Sequence, residues 1–101
     1  MGSDGRADFR LEVGTERVLH IAVDLDLATK ESFQTSLASA REGDEAVVLD
    51  LSEVRFLDSS GLAVILSAHL DGADVRVRGA SPIVRRTFEV AGVTELLSLE
   101  G

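Results

Sequence analysis

The stretch Val47–Leu66 reads VVLDLSEVRFLDSSGLAVIL, and the rest of the chain is interpreted outward from it. It begins within a short apolar run, 46–51, bounded by polar loops, which is typical of a central strand covered on both faces. A loop over 52–58 follows. Beyond it, apolar residues recur at helical spacing. The stretch therefore predicts a strand, a loop and a helix over residues 60–70.

The residues upstream predict a hairpin and another helix. Apolar and polar residues alternate over 8–13, a period of two that indicates a half-buried strand. A short turn leads to a more continuously apolar second strand over 17–23. The period then changes, and 27–42 has the apolar spacing of an amphipathic helix, which we expect Gly43 to end.

The residues downstream predict a further strand and a third helix. Val75 and Val77 alternate with arginines, as in a strand with one covered face. The pair 81–82 is Ser-Pro, an N-cap followed by proline at the first helical position, and Gly92 is placed to end the helix. Residues 96–99 are a candidate for a short last strand.

This order, ββαβαβα(β), predicts an α/β fold with one mixed sheet. Strand–helix–strand units with short loops imply parallel pairing, whereas the opening hairpin adds an antiparallel strand. We expect a single domain over 8–101, preceded by a flexible N-terminal tail over 1–7. The helices are expected to bury Phe33, Leu62, Ile65 and Phe88 against the sheet.

The composition excludes several classes of function. The 101 residues include no cysteine, so disulfides, thiolate nucleophiles and Cys-based zinc sites are excluded. A net charge of -8, with no Trp or Tyr, speaks against binding nucleic acid. No apolar run reaches the ~20 residues of a membrane span. We expect a soluble cytoplasmic protein without cofactor or metal, whose partner is another protein.

The densest group of chemically interesting residues is 56–62, FLDSSGL, at the start of the predicted second helix. One interpretation is an N-cap, in which Asp or Ser oxygens accept hydrogen bonds from the first N–H groups of the helix. The other is a phosphorylated serine, because a phosphate at a helix N-terminus meets free N–H groups and the positive end of the helix dipole.

Catalysis by a serine here is not favoured. The histidine His69 follows Ser60 by nine residues on the same helix, about 14 Å away. His20 lies within a strand that we predict to be buried, where a hydrogen-bonded core histidine is the simpler interpretation. The G-x-S-x-G pattern is also absent.

Three carboxylates suggest a metal site as an alternative. Asp24, Asp26 and Asp58 are all predicted at one end of the sheet, where they could hold Mg²⁺. A phosphate-binding site beside such a Mg²⁺ ion would need a lysine at the end of a late strand. The only lysine, Lys30, is on the first helix. Solvated loop carboxylates are therefore the favoured interpretation, and we predict no enzyme activity.

The stretch Val47–Leu66 resembles the signature of STAS domains, specifically bacterial anti-sigma factor antagonists. The similarity extends to the segment 24–29, DLDLAT, and to 81–93, SPIVRRTFEVAGV, and so spans nearly the whole chain in the family's order. Val23 departs from the family, which has a glycine before its acidic segment.

The resemblance implies that Ser59 is the phosphorylated residue, because it directly follows the aspartate Asp58. Asp26 corresponds to the family's acidic residue near that loop, and Ser60, Gly61 and Leu62 complete the phosphosite and partner-binding loop. The implied mechanism is partner switching. The unphosphorylated domain binds an anti-sigma factor that is also a serine kinase, phosphorylation ends the binding, and a serine phosphatase restores it.

The resemblance leaves a second function open. Some STAS domains brace or regulate another complex, such as a lipid-transport ABC ATPase or a stress-signalling assembly. In such a protein Ser59 would cap the helix without being phosphorylated.

Overall fold

The computed structural model describes residues 7–97 of the chain. These residues form four strands and three α-helices: β1 (Phe9–Val13), β2 (Arg17–Ile21), α1 (Lys30–Ala40), β3 (Val47–Asp50), α2 (Ser59–Leu70), β4 (Val75–Arg78) and α3 (Pro82–Ala91). A short 3-10 helix over Leu27–Thr29 directly precedes α1. The predicted flexible tail over 1–7 lies outside the described residues except for Ala7.

The strands form one mixed sheet in the order β1-β2-β3-β4. The hairpin β1–β2 is antiparallel, with Leu11 opposite Leu19, and the pairs β2–β3 and β3–β4 are parallel. The predicted α/β fold with a mixed sheet is therefore confirmed, with the parallel strands joined by α1 and α2.

The core lies between the three helices and one face of the sheet. Alternate residues of the parallel strands, such as Leu19, Leu49 and Val77, belong to it together with apolar residues of every helix. The side chains expected to be buried are buried: Phe33, Leu62, Ile65 and Phe88. The helices thus cover one face of the sheet, and the other face carries polar residues around Val18 and Val48, which are also buried.

Two helix boundaries differ from the sequence prediction. The predicted helix over 27–42 begins as the 3-10 helix, and α1 ends at Ala40 because Arg41 adopts an extended backbone. The prediction that Gly43 ends this helix is wrong. For α3 the prediction is confirmed, since the Ser81 hydroxyl accepts from the N–H of Val84 and Gly92 adopts φ +73° after the last turn.

The sheet margins also differ from the sequence prediction. β1 is mostly exposed and not half-buried, because it is an edge strand and α1 covers only its Phe9 end. The second strand ends at Ile21 instead of residue 23. The candidate strand over 96–99 is wrong for Leu96 and Leu97, which lie in a turn, and its other two residues lie outside the described part.

A polar cluster on the open face ties β1 to β3. The His20 ring lies between two carboxylates, with Nδ1 3.0 Å from Asp50 Oδ2 and Nε2 2.8 Å from Glu12 Oε1. Carboxylate oxygens only accept, so both contacts are hydrogen bonds when both ring nitrogens carry a proton. The side chain is 23% exposed, so the prediction of a core position is wrong, although the ring is hydrogen-bonded as expected.

The surroundings of Asp50 predict that the stability of the fold decreases in acid. Burial raises the pKa of Asp50, but hydrogen bonds from Ser52 and His20 outweigh burial and hold that pKa below its ordinary value. A carboxyl with a lowered folded-state pKa stabilises the fold above its unfolded pKa, and this contribution is lost as the pH falls below about 4. We expect Asp50→Asn to lower the free energy of unfolding at pH 7 and to flatten its decline in acid, as measured by urea denaturation at several pH values. Parallel curves for the two proteins would contradict this.

Candidate functional site

A single parallel bridge between Leu25 and Leu57 brings two loops together at one end of the sheet. The N–H of Leu25 donates to the carbonyl of Phe56, and the N–H of Asp58 donates to the carbonyl of Leu25, both at 3.0 Å. Both bridged leucines are buried, which fixes the loops to the core. The residues that follow the two leucines in the chain, Asp26 and Asp58, therefore lie on neighbouring segments at this end of the sheet.

Asp58 is the N-cap of α2. Its Oδ1 accepts from the N–H groups of Ser60 at 2.8 Å and Gly61 at 3.3 Å, and its carbonyl accepts from Leu62. The side chain thus satisfies two of the N–H groups that a helix start leaves free. Of the two sequence interpretations, capping is shown for Asp58 and leaves both serines without a capping role.

Ser59 is the first residue of α2, and its side chain is exposed. Within residues 7–97 its hydroxyl makes no hydrogen bond. Ser60 is half-buried, and its N–H is already bound to Asp58. Of the two neighbouring hydroxyls, that of Ser59 is therefore the more accessible to an enzyme.

This division of roles predicts unequal effects of two alanine substitutions on stability. We expect Asp58→Ala to lower the free energy of unfolding by about 0.5–2 kcal/mol, the usual effect of losing an N-cap. Ser59→Ala should change it by less than about 0.5 kcal/mol, as for an exposed surface position. Urea denaturation of both variants measures the difference, and an equal loss of stability would mean that Ser59 shares the capping role.

Gly61 allows α2 to pack closely against the loop at Leu25. A Cβ at Gly61 would lie 2.8 Å from both the Cβ and the carbonyl oxygen of Leu25. The next residue, Leu62, is 9% exposed and faces the core. These two members of the predicted loop therefore position the helix start, while Ser59 is the one that faces outward.

We expect Gly61→Ala to destabilise the domain although alanine is the better helix former. The favourable helix propensity is about 1 kcal/mol, but overpacking against a backbone carbonyl costs about 1–3 kcal/mol and shifts the bridged loop. Gly14→Ala is the matched control, since a Cβ there meets nothing within 4 Å. Thermal unfolding of both variants would contradict the packing argument if their midpoints were equal.

The three carboxylates considered as a metal site each bind backbone instead. Asp26 caps the 3-10 helix by accepting from the N–H of Thr29 at 3.2 Å, and Asp24 accepts from the N–H of Arg55 at 3.1 Å. Asp58 caps α2. Among residues 7–97 no group of three or more potential ligands could hold a metal ion, so the carboxylate site is not supported.

Two arginines of β4 form ion pairs with nearby carboxylates. The guanidinium of Arg76 contacts Asp74 at 3.1 Å, and that of Arg78 contacts Glu16 at 3.1 Å. Asp74 directly precedes β4, and Glu16 lies between β1 and β2. These ion pairs partly neutralise the positive charge of β4.

Sequence reasoning missed one residue that supports the site. The hydroxyl of Thr87, on α3, lies 3.4 Å from the carbonyls of both Leu57 and Ile83, and the first of these contacts reaches from α3 to the bridged loop. Thr87 and Leu57 are 30 positions apart, and no local motif signals the contact.

In the part of the chain that the structure describes, no helix has the length and apolarity to cross a membrane.

The hairpin, the parallel strands and the capped helix at the bridged loop define a STAS-type domain. The family model described as "Mlab, STAS domain" matches residues 11–98. The chain therefore belongs to the STAS domain family.

Proteins similar to this chain include several named as antagonists. The anti-sigma F factor antagonist of Paenibacillus polymyxa is 27% identical over 88 residues, which cover 81% of this chain and 75% of that protein. An anti-sigma factor antagonist from Mycobacterium paratuberculosis has a similar fold, with a TM-score of 0.81 at 21% identity, covering 91% of this chain and 83% of that one. The antagonist SpoIIAA in its unphosphorylated form gives a TM-score of 0.69 at 22% identity, covering 92% and 87%.

Proposed function

We propose that this protein is an anti-sigma factor antagonist that works by partner switching. Unphosphorylated, it binds an anti-sigma factor that is also a serine kinase, and the sigma factor is released. The kinase phosphorylates Ser59, the modified protein dissociates, and a serine phosphatase restores it. This chain acts by binding and catalyses no step.

The observation that carries the proposal is the exposed, unbonded hydroxyl of Ser59 at the first position of α2. The positive end of the helix dipole favours negative charge at this position even though Asp58 already binds the N–H groups of Ser60 and Gly61, so a phosphate is tolerated without unfolding. The phosphate adds about -1.5 to -2 charges to the surface. Because Asp58 and Asp26 are already there, the modified surface repels a partner that accepts the unmodified one.

The similar proteins support the proposal in two ways. The relative from Paenibacillus polymyxa carries the name of an antagonist of an anti-sigma factor. The antagonist SpoIIAA, which has a similar fold, is named in its unphosphorylated form. The acidic net charge of -8 further favours a protein partner over nucleic acid.

Site-specific phosphorylation tests the proposal. The purified protein is incubated with ATP and the anti-sigma factor kinases of its host, one at a time, and phosphate is located by mass spectrometry. We expect phosphate on Ser59 in the wild type and in Ser60→Ala, and none in Ser59→Ala. Phosphate confined to Ser60 would overturn the choice of serine, and phosphate on neither residue with any kinase would overturn the switch.

The second candidate is a STAS domain that braces another complex, such as a transporter ATPase, without phosphorylation. The observation that favours it is the description of the matched family model, which names Mlab and no antagonist. Under this alternative Ser59 stays unmodified in cells, and both Ser59→Ala and Ser59→Asp keep their partner. The same mass spectrometry on protein isolated from cells separates the two candidates.

A further inference from the structure

The outer edge of β1 is free to pair with a further strand. β1 is the first strand in the sheet order, and within residues 7–97 no strand pairs with its outer side. It runs in unbroken register with β2 for five residues and contains no proline. Natural proteins ordinarily shield such an edge, because its free N–H and C=O groups are a template for another strand.

The hydrogen bonds beside β1 show which of its backbone groups are free. The N–H of Ala22 donates to the carbonyl of Asp8 at 2.8 Å, and the N–H of Gly14 donates to the carbonyl of Glu16 at 2.9 Å. Along an antiparallel pair every second residue bonds to the neighbouring strand, so the even-numbered residues of β1 bond to β2. The N–H and C=O groups of the odd-numbered residues point outward: Phe9, Leu11 and Val13.

The side chains of β1 differ between its two faces. On the face that the helices cover, Leu11 is 37% and Val13 60% exposed. On the open face, the exposed Arg10 takes part in no hydrogen bond or ion pair in the described part of the chain. Glu12 contacts His20 through Oε1 only and its side chain is 62% exposed, so its Oε2 can accept from a further donor. The edge thus carries exposed apolar groups on one face and two opposite charges on the other.

We propose that β1 pairs with β1 of a second copy of this chain, antiparallel and with Leu11 on the two-fold axis. In this register the outward backbone groups of both strands meet. Leu11 exchanges hydrogen bonds with its counterpart, and Phe9 does so with Val13 of the second copy. Arg10 lies opposite Glu12 of the second copy at both ends of the contact, in the class of pair whose side chains approach most closely. The two sheets become one continuous sheet across the dimer.

The charges select this register over its neighbours. Moving the second strand by two residues in one direction keeps outward groups paired but places Arg10 opposite Arg10. Moving it by two residues in the other direction places Glu12 opposite Glu12. Like charges directly opposite each other are destabilising. The register centred on Leu11 also overlaps all five residues of β1, so charge and overlap favour the same arrangement.

The second copy has room on the side of α1. A groove of about 480 Å³ lies beside the Phe9 end of β1 and is lined in part by the small side chains of Ser32 and Ser36 on α1. In the proposed register Val13 of the second copy lies opposite Phe9, next to this groove. An apolar side chain that is mostly exposed in the monomer is therefore covered in the dimer.

Exchange of the two charges tests the pairing. Arg10→Glu makes both charges of β1 negative and Glu12→Arg makes both positive, so each variant alone places like charges opposite each other. An equimolar mixture of the two variants restores opposite charges at every position. Association is measured by sedimentation over a concentration series at about 0.15 M salt, where the repulsion between two domains of net charge -8 is largely screened beyond about 8 Å.

We expect a concentration-dependent dimer for the wild type and a dissociation constant raised at least about tenfold for each single variant. The mixture should associate like the wild type. A wild type that stays monomeric throughout the series, or a mixture that associates no better than its components, would overturn the proposal. The measurement involves no kinase, so its failure leaves the proposed function standing.

Disulfide trapping tests the register, since the chain contains no cysteine of its own. Leu11→Cys places the two sulfurs at a pair whose Cα atoms lie about 5.5 Å apart, a distance that a disulfide spans. Val13→Cys is the matched control, because its two copies are four residues apart along the pair, about 14 Å. After mild oxidation, non-reducing electrophoresis should show a covalent dimer for Leu11→Cys and monomer for Val13→Cys. Equal trapping of both variants, or of neither, would reject this register.

Discussion

Ser59→Asp should bind the anti-sigma factor kinase about 100-fold or more weakly than the wild type, whereas Ser59→Ala should bind within about threefold of it. In the proposed complex the aspartate adds an uncompensated charge, next to Asp58, to a contact that loses its water on binding. Folding should be unaffected, because a carboxylate is favourable at the first turn of a helix. Calorimetric titration with a non-hydrolysable ATP analogue measures both affinities without phosphorylating the protein.

The neighbouring serine provides the control for this pair. Ser60 is half-buried and its backbone is bound to Asp58, so Ser60→Ala should bind like Ser59→Ala and remain a substrate for phosphorylation. Equal affinity of Ser59→Ala and Ser59→Asp would reject the switch. It would favour a constitutive contact of the kind that the second candidate requires.

Phe33→Ala should lower the free energy of unfolding by about 3–5 kcal/mol, the largest stability effect that we expect from a single substitution here. The Phe33 ring is on the buried side of α1, is fully buried, and stacks on the ring of Phe9 with centroids 5.9 Å apart. Small domains are stable by only about 5–15 kcal/mol, so much of that margin disappears. The midpoint of urea denaturation measures the loss.

Phe56→Ala is the matched control for this substitution. The Phe56 side chain is 49% exposed, although its carbonyl accepts the N–H of Leu25. Removing the ring leaves that backbone hydrogen bond in place, and the free energy of unfolding should change by less than about 1 kcal/mol. A loss at Phe56 comparable to that at Phe33 would mean that the loop before α2, and not the core, limits stability.

The regular parts of the fold were predictable because they depend on local signals. The Ser81-Pro82 start and the Gly92 end of α3 follow from backbone chemistry within a few residues. The exposure of β1 was not predictable. Alternation shows that one side of a strand is apolar, but it does not show how far a helix extends over an edge strand. The predicted start of the first helix at residue 27 is the start of a 3-10 turn, which Asp26 and Thr29 cap, and α1 follows it.

The candidate site was predictable in its residues but not in its geometry. The sequence indicates that a helix starts near Ser59, yet it does not say which of three adjacent polar side chains caps that helix. The structure assigns the cap to Asp58. The bridge from Leu25 to Leu57, the close approach of Gly61 and the contact from Thr87 all join residues that are distant in sequence, so no local pattern reveals them.

The strand order β1-β2-β3-β4 repeats the order of synthesis. Each new strand can therefore pair with the strand made just before it, and among the described strands none has to insert between two that are already paired. Pairings between sequence neighbours keep loop-closure entropy low, which favours rapid folding. Because Leu57 follows β3 in the chain, the bridge that sets the position of Ser59 can form on the ribosome only after the segments of the first three strands have been synthesised.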